Sequence, residues 1–247
     1  MPTRSFALAA ILLAGALPND RLPAASEALP KVIVPAPREA EWFAYRHAYK
    51  AARFFAPFLK TRPLIQAHMQ IRPVSPDEPM DGLQVQLTGE SVNITIPVDA
   101  LGRATLPMLK QAYDEDAVLR LNRQQGHYRF SGRFSIRERD DGIYRVEELR
   151  AACEQVLSAQ RESGYSLHLI GKHCVGVKFV YLPGGEAQVA YRGASGTPTM
   201  LASAPAEPFE GPAMGKYQVV EFRFANWPAQ GAVVAHSKPL AVSSLYD

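Results

Sequence analysis

The sequence predicts an α+β fold, mainly β, of antiparallel sandwich-like sheets. An N-terminal amphipathic helix and a second helix (about 144–161), disulfide-linked to a strand, complete it. Three observations predict this. Apolar and polar residues alternate over several short segments, the mark of half-buried strands. Turn residues separate those segments, and the chain carries 20 prolines in 247 residues, about 8% where about 5% is usual. Helical spacing of apolar residues is confined to two longer stretches and the extreme N-terminus.

Composition bounds the class. The chain is 47% hydrophobic, 21% charged and 9% aromatic, with a net charge of +3, all ordinary for a globular domain. Collagen-like repeats, a disordered polyelectrolyte, a disulfide-dense mini-protein and a multi-span membrane protein are excluded.

The first segment reads as a targeting signal. One arginine, Arg4, precedes the apolar run Ser5–Leu17, which stops at Pro18-Asn19-Asp20-Arg21. That is the plan of a secretory signal peptide, shorter than the roughly 20 residues of a spanning helix. Residues 1–28 are expected to be removed after Ala28, leaving a mature chain with no transmembrane segment. Arginine outnumbers lysine 19 to 8, a bias of GC-rich bacterial genomes, so the expected location is periplasmic or secreted. Leu29–Pro37 follows as an extended lead-in. Residues 38–140 are expected to form a helix plus a β-rich, sandwich-like domain. Residues 141–247 form an α+β domain or continue the same one.

Each element has its own warrant. Over Glu39–Leu59, residues Trp42, Tyr45, Tyr49, Ala52, Phe55 and Phe58 make a helical stripe, predicting an amphipathic helix that ends near Ala56, before Pro57. Ile65, Ala67, Met69 and Ile71 then alternate with polar residues as a strand. Leu83–Leu87 and Val92–Ile96 alternate about a four-residue turn, predicting a hairpin. A short strand follows at Ala104–Leu106. The stretch Ile96–Pro107, IPVDALGRATLP, resembles the strand–turn–strand of prealbumin-like sandwich modules of secreted bacterial proteins. The resemblance covers 12 residues and implies a β-sandwich. The acidic run Asp114-Glu115-Asp116 lacks the alternate ligand spacing of a calcium loop and reads as a solvated turn or helix end.

His127–Arg139 shows the sharpest two-sided pattern. Tyr128, Phe130, Phe134 and Ile136 share one parity, and Arg129, Ser131, Arg133, Ser135 and Arg137 the other. The second parity is a candidate face for anionic ligands, because guanidinium forks match carboxylate and phosphate. The alternative is arginine that merely keeps an exposed strand from pairing edge to edge. Beyond the second helix, Ser166–Tyr181 reads as a strand with Ala187–Tyr191 as a possible hairpin partner. Gly193–Gly215, with Pro198, Pro205, Pro208 and Pro212, reads as a long loop or flap. Lys216–Phe224 and Gly231–His236 read as further strands.

Cys153 lies on the apolar face of the second helix and Cys174 in the strand after it. An even count in an exported chain favours a structural disulfide over two buried thiols or a reactive pair. The adjoining His173 points away from Cys174 in a strand. No zinc-binding, nucleophile-elbow, dinucleotide or phosphate-loop motif is present, and no cofactor or metal is expected. The functional expectation is therefore an exported envelope protein, leaning away from catalysis, with an accessory or binding role. Its Arg129/Arg133/Arg137 face would meet an anionic envelope component or another envelope protein, not nucleic acid. The alternative is a periplasmic hydrolase with its site under residues 193–215.

Overall fold

A computed structural model describes residues 39–194 and 196–247. The expected signal peptide, Met1–Ala28, and the lead-in, Leu29–Pro37, lie outside these residues. In chain order the elements are β1 (Ala40–Ala44), α1 (Tyr45–Thr61), β2 (Ile65–Pro73), β3 (Gln84–Thr88), β4 (Asn93–Pro97) and β5 (Arg103–Ala104). Next come α2 (Lys110–Asp114), β6 (Val118–Gln124), β7 (Tyr128–Ile136), β8 (Ile143–Arg145), α3 (Val146–Gln160) and β9 (Cys174–Tyr181). The rest is strand and short turns: β10 (Val189–Arg192), β11 (Pro198–Met200), β12 (Ser203–Ala206), β13 (Tyr217–Arg223), β14 (Ala232–Ala235) and β15 (Ala241–Tyr246).

The described strands form three antiparallel sheets, ordered β1-β6-β3-β4, β11-β10-β14-β8 and β12-β13-β9-β15-β7-β2-β5. The last draws on both halves of the chain, because C-terminal β15 sits between β9 and β7. The mainly β, antiparallel reading of the sequence is the architecture observed. One face of this seven-stranded sheet packs on α3: Ile65, Phe134, Ile136, Val177, Phe179 and Val242 meet Leu149, Cys153 and Val156. Cys153 and Cys174 are joined there by a disulfide, with a Cα–Cα distance of 6.0 Å. A second core gathers β3, β4 and β6 around Tyr45 and Tyr128, and a third lies around Val180, Val219, Ala241 and Phe209.

Several element readings are corrected. The helix expected from Glu39 begins at Tyr45, because Trp42, Phe43 and Ala44 pair with Arg120, Leu119 and Val118 of β6. It also runs through Pro57 to Thr61; the Arg53 carbonyl that Pro57 leaves without an amide belongs to an exposed residue and can be hydrated. The second helix starts at Val146, since Ile143–Arg145 pairs with β14. Ser166–Leu169 is a 3-10 turn rather than strand; Leu167 and Ile170 are exposed while Leu169 is buried, which is not the every-second-residue burial of a strand. β10 is no hairpin partner of β9, both of whose edges are taken by β13 and β15; it pairs with β11 and β14 instead. The expected loop 193–215 contains two strands. Its Pro198 and Pro205 sit in β11 and β12, the outermost strands of their sheets, where a missing amide costs little.

The turn before β5 is built as its sequence suggests. The Asp99 carboxylate accepts hydrogen bonds from the Leu101 and Arg103 amides at 2.9 and 2.8 Å. Gly102 has φ 72°, and a Cβ there would collide with the Ile71 carbonyl oxygen, so glycine is required.

Candidate cationic cavity

The site arises where the large sheet splays. β7 is paired with β2 along its whole length, from Ile136–Ile65 to Tyr128–Pro73. On its other side, among the described residues, it shares a single register pair with β15, Ile136–Val242. β15 then stays with β9 as far as Tyr246, while β7 departs. The wedge between them holds a cavity of about 650 Å³, within the range of small-molecule sites.

Cross-strand partners point to the same face of a sheet, which assigns the walls. Arg133 is paired with His68, and Lys178 with Ser243. These residues face the segment Glu207–Gly211, which crosses that side: Lys178 Nζ donates to the Glu207 carbonyl at 2.9 Å and Ser243 Oγ to the Pro208 carbonyl at 2.6 Å. Phe134, Ser244 and Tyr246 face the other way, toward α3 and Phe55 of α1. The cavity is thus walled by cations (Arg72, Arg133, Lys172, Lys178) and by aromatic rings (Phe55, Phe134, Phe209).

Arg133 is the best-held group in this wall. Its side chain is only 10% exposed and its Nη1 lies 2.6 Å from Glu210 Oε2. Nε donates to Gln70 Oε1 at 2.6 Å, and the guanidinium stacks 4.3 Å from the centre of the Phe209 ring. Burial pushes the Glu210 carboxyl up, but the charge and hydrogen bonds of Arg133 outweigh it and hold the group below its ordinary value. Among the described residues, Arg72, Lys172 and Lys178 have no carboxylate partner. On the far wall the Tyr246 hydroxyl donates to Gln160 Oε1 at 2.8 Å. Burial pushes this phenol far up, so it stays protonated as a donor. Ser244 Oγ, next to it, is buried without a well-formed hydrogen bond.

The three arginines of the candidate face are not presented together. Arg133 lines the cavity, whereas Arg129 and Arg137 are exposed outside its walls. Arg137 instead ties down the start of β2, donating to the Pro63 and Ile65 carbonyls at 3.2 and 3.1 Å. β7 is paired with β2 along its length, but toward β15 its only register pair among the described residues is Ile136–Val242. Sequence reasoning missed Arg72, Lys172 and Lys178. Arg72 does occupy the polar parity of β2, and that is the signal that could have marked it. Lys178 shares its parity in β9 with Gly176 and the buried Val180, so no polar face announced it. No family model, curated protein or solved structure matches the chain. The geometry alone carries the functional reading.

Two further observations bound it. Among the described residues there is no cluster of three or more histidine, cysteine, aspartate or glutamate side chains placed to hold a metal. Nor, among the same residues, is any helix long and apolar enough to cross a membrane.

Proposed function

We propose that the protein is an exported envelope protein that binds an anionic ligand with an apolar body in the β7–β15 cavity. The observation that carries the reading is Arg133: a nearly buried guanidinium, aromatic-stacked and oriented by Gln70, in a wall with three cations that lack a carboxylate partner among the described residues. Burying a cation is unfavourable unless an anion meets it. Glu210 meets it, and a ligand carboxylate, sulfonate or phosphate would take that place. The rings of Phe55, Phe134 and Phe209 suit the apolar part. The disulfide is in keeping with export, since such bonds persist in oxidising compartments. A hydrolase under residues 193–215 would have Glu207 and Glu210 as its nearby carboxylates, but Glu210 is engaged by Arg133.

Fluorescence titration with anilinonaphthalene sulfonate tests the binding. The expected result is saturable binding that Arg133→Met weakens by roughly tenfold or more, the worth of about 1.5–3 kcal/mol for hydrogen bonds to a charged group. Glu210→Gln, which removes the internal competitor, should tighten it. Equal affinity of wild type and Arg133→Met would refute the reading. Export is checked by the mass of the protein recovered from the periplasm, expected to begin at Leu29; retention of Met1 would count against it.

A further inference from the structure

A second cavity, of about 320 Å³, lies between α1 and the seven-stranded sheet. Its walls are largely apolar: Ala52 and Leu59 of α1, Met69 of β2, Phe130 of β7, and Leu106 after β5. It adjoins the cationic cavity, since Phe55, Ala67 and Gly132 line both. At the junction the Phe55 ring rests on the bare backbone of Gly132, where an added Cβ would lie 2.7 Å from Phe55 Cε2. A side chain at position 132 would crowd the ring that separates the two spaces. Alanines at 48, 51, 52 and 56 keep α1 thin along the groove.

From this shared wall we infer that the two cavities serve as one site for a single-chain amphiphile, its anionic head on Arg133 and Lys178 and its alkyl chain displacing the Phe55 ring to enter the groove under α1. The inference rests on the anion-binding reading of the first cavity and specifies the ligand class. The charge runs the right way: the wedge end carries Arg72, Arg133, Lys172 and Lys178, whereas the groove beside it has Arg53 alone among lysines and arginines and is otherwise largely apolar. The groove also offers a methylene chain surroundings from which water is readily excluded.

The test is a chain-length series. Hexanoate, octanoate, decanoate and dodecanoate, with alkyl phosphates of the same lengths, compete against anilinonaphthalene sulfonate below their micelle concentrations. Each added methylene should tighten binding by up to about fourfold, the equivalent of about 0.8 kcal/mol per buried CH₂. The carboxylate and phosphate arms tell the two head groups apart. Ala52→Trp, which fills the groove, should flatten the series while leaving sulfonate binding and its dependence on Arg133 intact. Leu106→Phe fills it from the opposite wall and gives the same reading if Ala52→Trp does not fold. A flat wild-type series, with sulfonate binding still dependent on Arg133, overturns the inference and spares the anion site. Loss of Arg133 dependence overturns both.

Discussion

Removing the charge of Arg103 should cost the fold more than any other single ion-pair change described here. Its side chain is 9% exposed and reaches three segments at once. Nε pairs with Asp99 and Nη1 with Glu138, both at 2.8 Å, while Nη2 donates to the Leu240 carbonyl. It thereby fastens the turn before β5 to the end of β7 and to the lead into β15. Arg103→Met would strand two carboxylates. Breaking a buried pair from one side costs about 3–5 kcal/mol. Glu138 is 17% and Asp99 36% exposed, so water relieves part of this, which places the loss near the lower bound, about 3 kcal/mol. For a chain of this size that corresponds to a melting-temperature drop of roughly 6–12 °C. Urea unfolding followed by tryptophan fluorescence measures it. Adding Glu138→Gln to Arg103→Met should recover part of the loss, because one stranded charge is gone. A loss below about 1 kcal/mol, or a double variant worse than the single, would refute the reasoning.

Two other outcomes follow from the same reasoning. Replacing Cys153 and Cys174 by alanine opens a loop with a sequence separation of 21; chain entropy alone predicts about 3 kcal/mol of destabilisation, read as a lower urea midpoint, and an unchanged midpoint would contradict it. The depressed Glu210 carboxyl contributes stability that is complete above its unfolded value, about 4.3, and fades as pH falls through the lower folded value. Since Glu210 is 41% exposed, the stability difference between wild type and Glu210→Gln should be at most about 1 kcal/mol at pH 7 and should shrink on acidification. A gap that widens toward pH 3 would overturn this assignment.

What was legible in the sequence is what local alternation controls. The Ile65–Ile71 and His127–Arg139 patterns became β2 and β7, and the hairpin at Thr88–Ser91 formed as read. Cys153 and Cys174 were legible as a pair because one periodicity put Cys153 on an apolar helix face and another put Cys174 in a strand. Missed elements had ambiguous signals. Trp42 fits a helical stripe as well as a strand, so β1 was absorbed into α1. In β15, Ser243 and Ser244 interrupt the apolar alternation, yet both are buried, one hydrogen-bonded to the Pro208 carbonyl. The site was least legible because it depends on where β15 leaves β7, a property of long-range pairing. Parity marked Arg133 as polar-facing, but nothing local marks Lys178 as its neighbour across a gap.

The central claim is that Arg133 receives the anion in the wedge. Nitrogen-15 spectra of the arginine Nε–H groups, with Arg133 assigned by its loss in Arg133→Lys, test it most directly. Titrating dodecanoate should shift the Arg133 resonance saturably, in step with displacement of anilinonaphthalene sulfonate, and leave Arg137 unmoved. Binding of dodecanoate with a stationary Arg133 resonance would contradict the account.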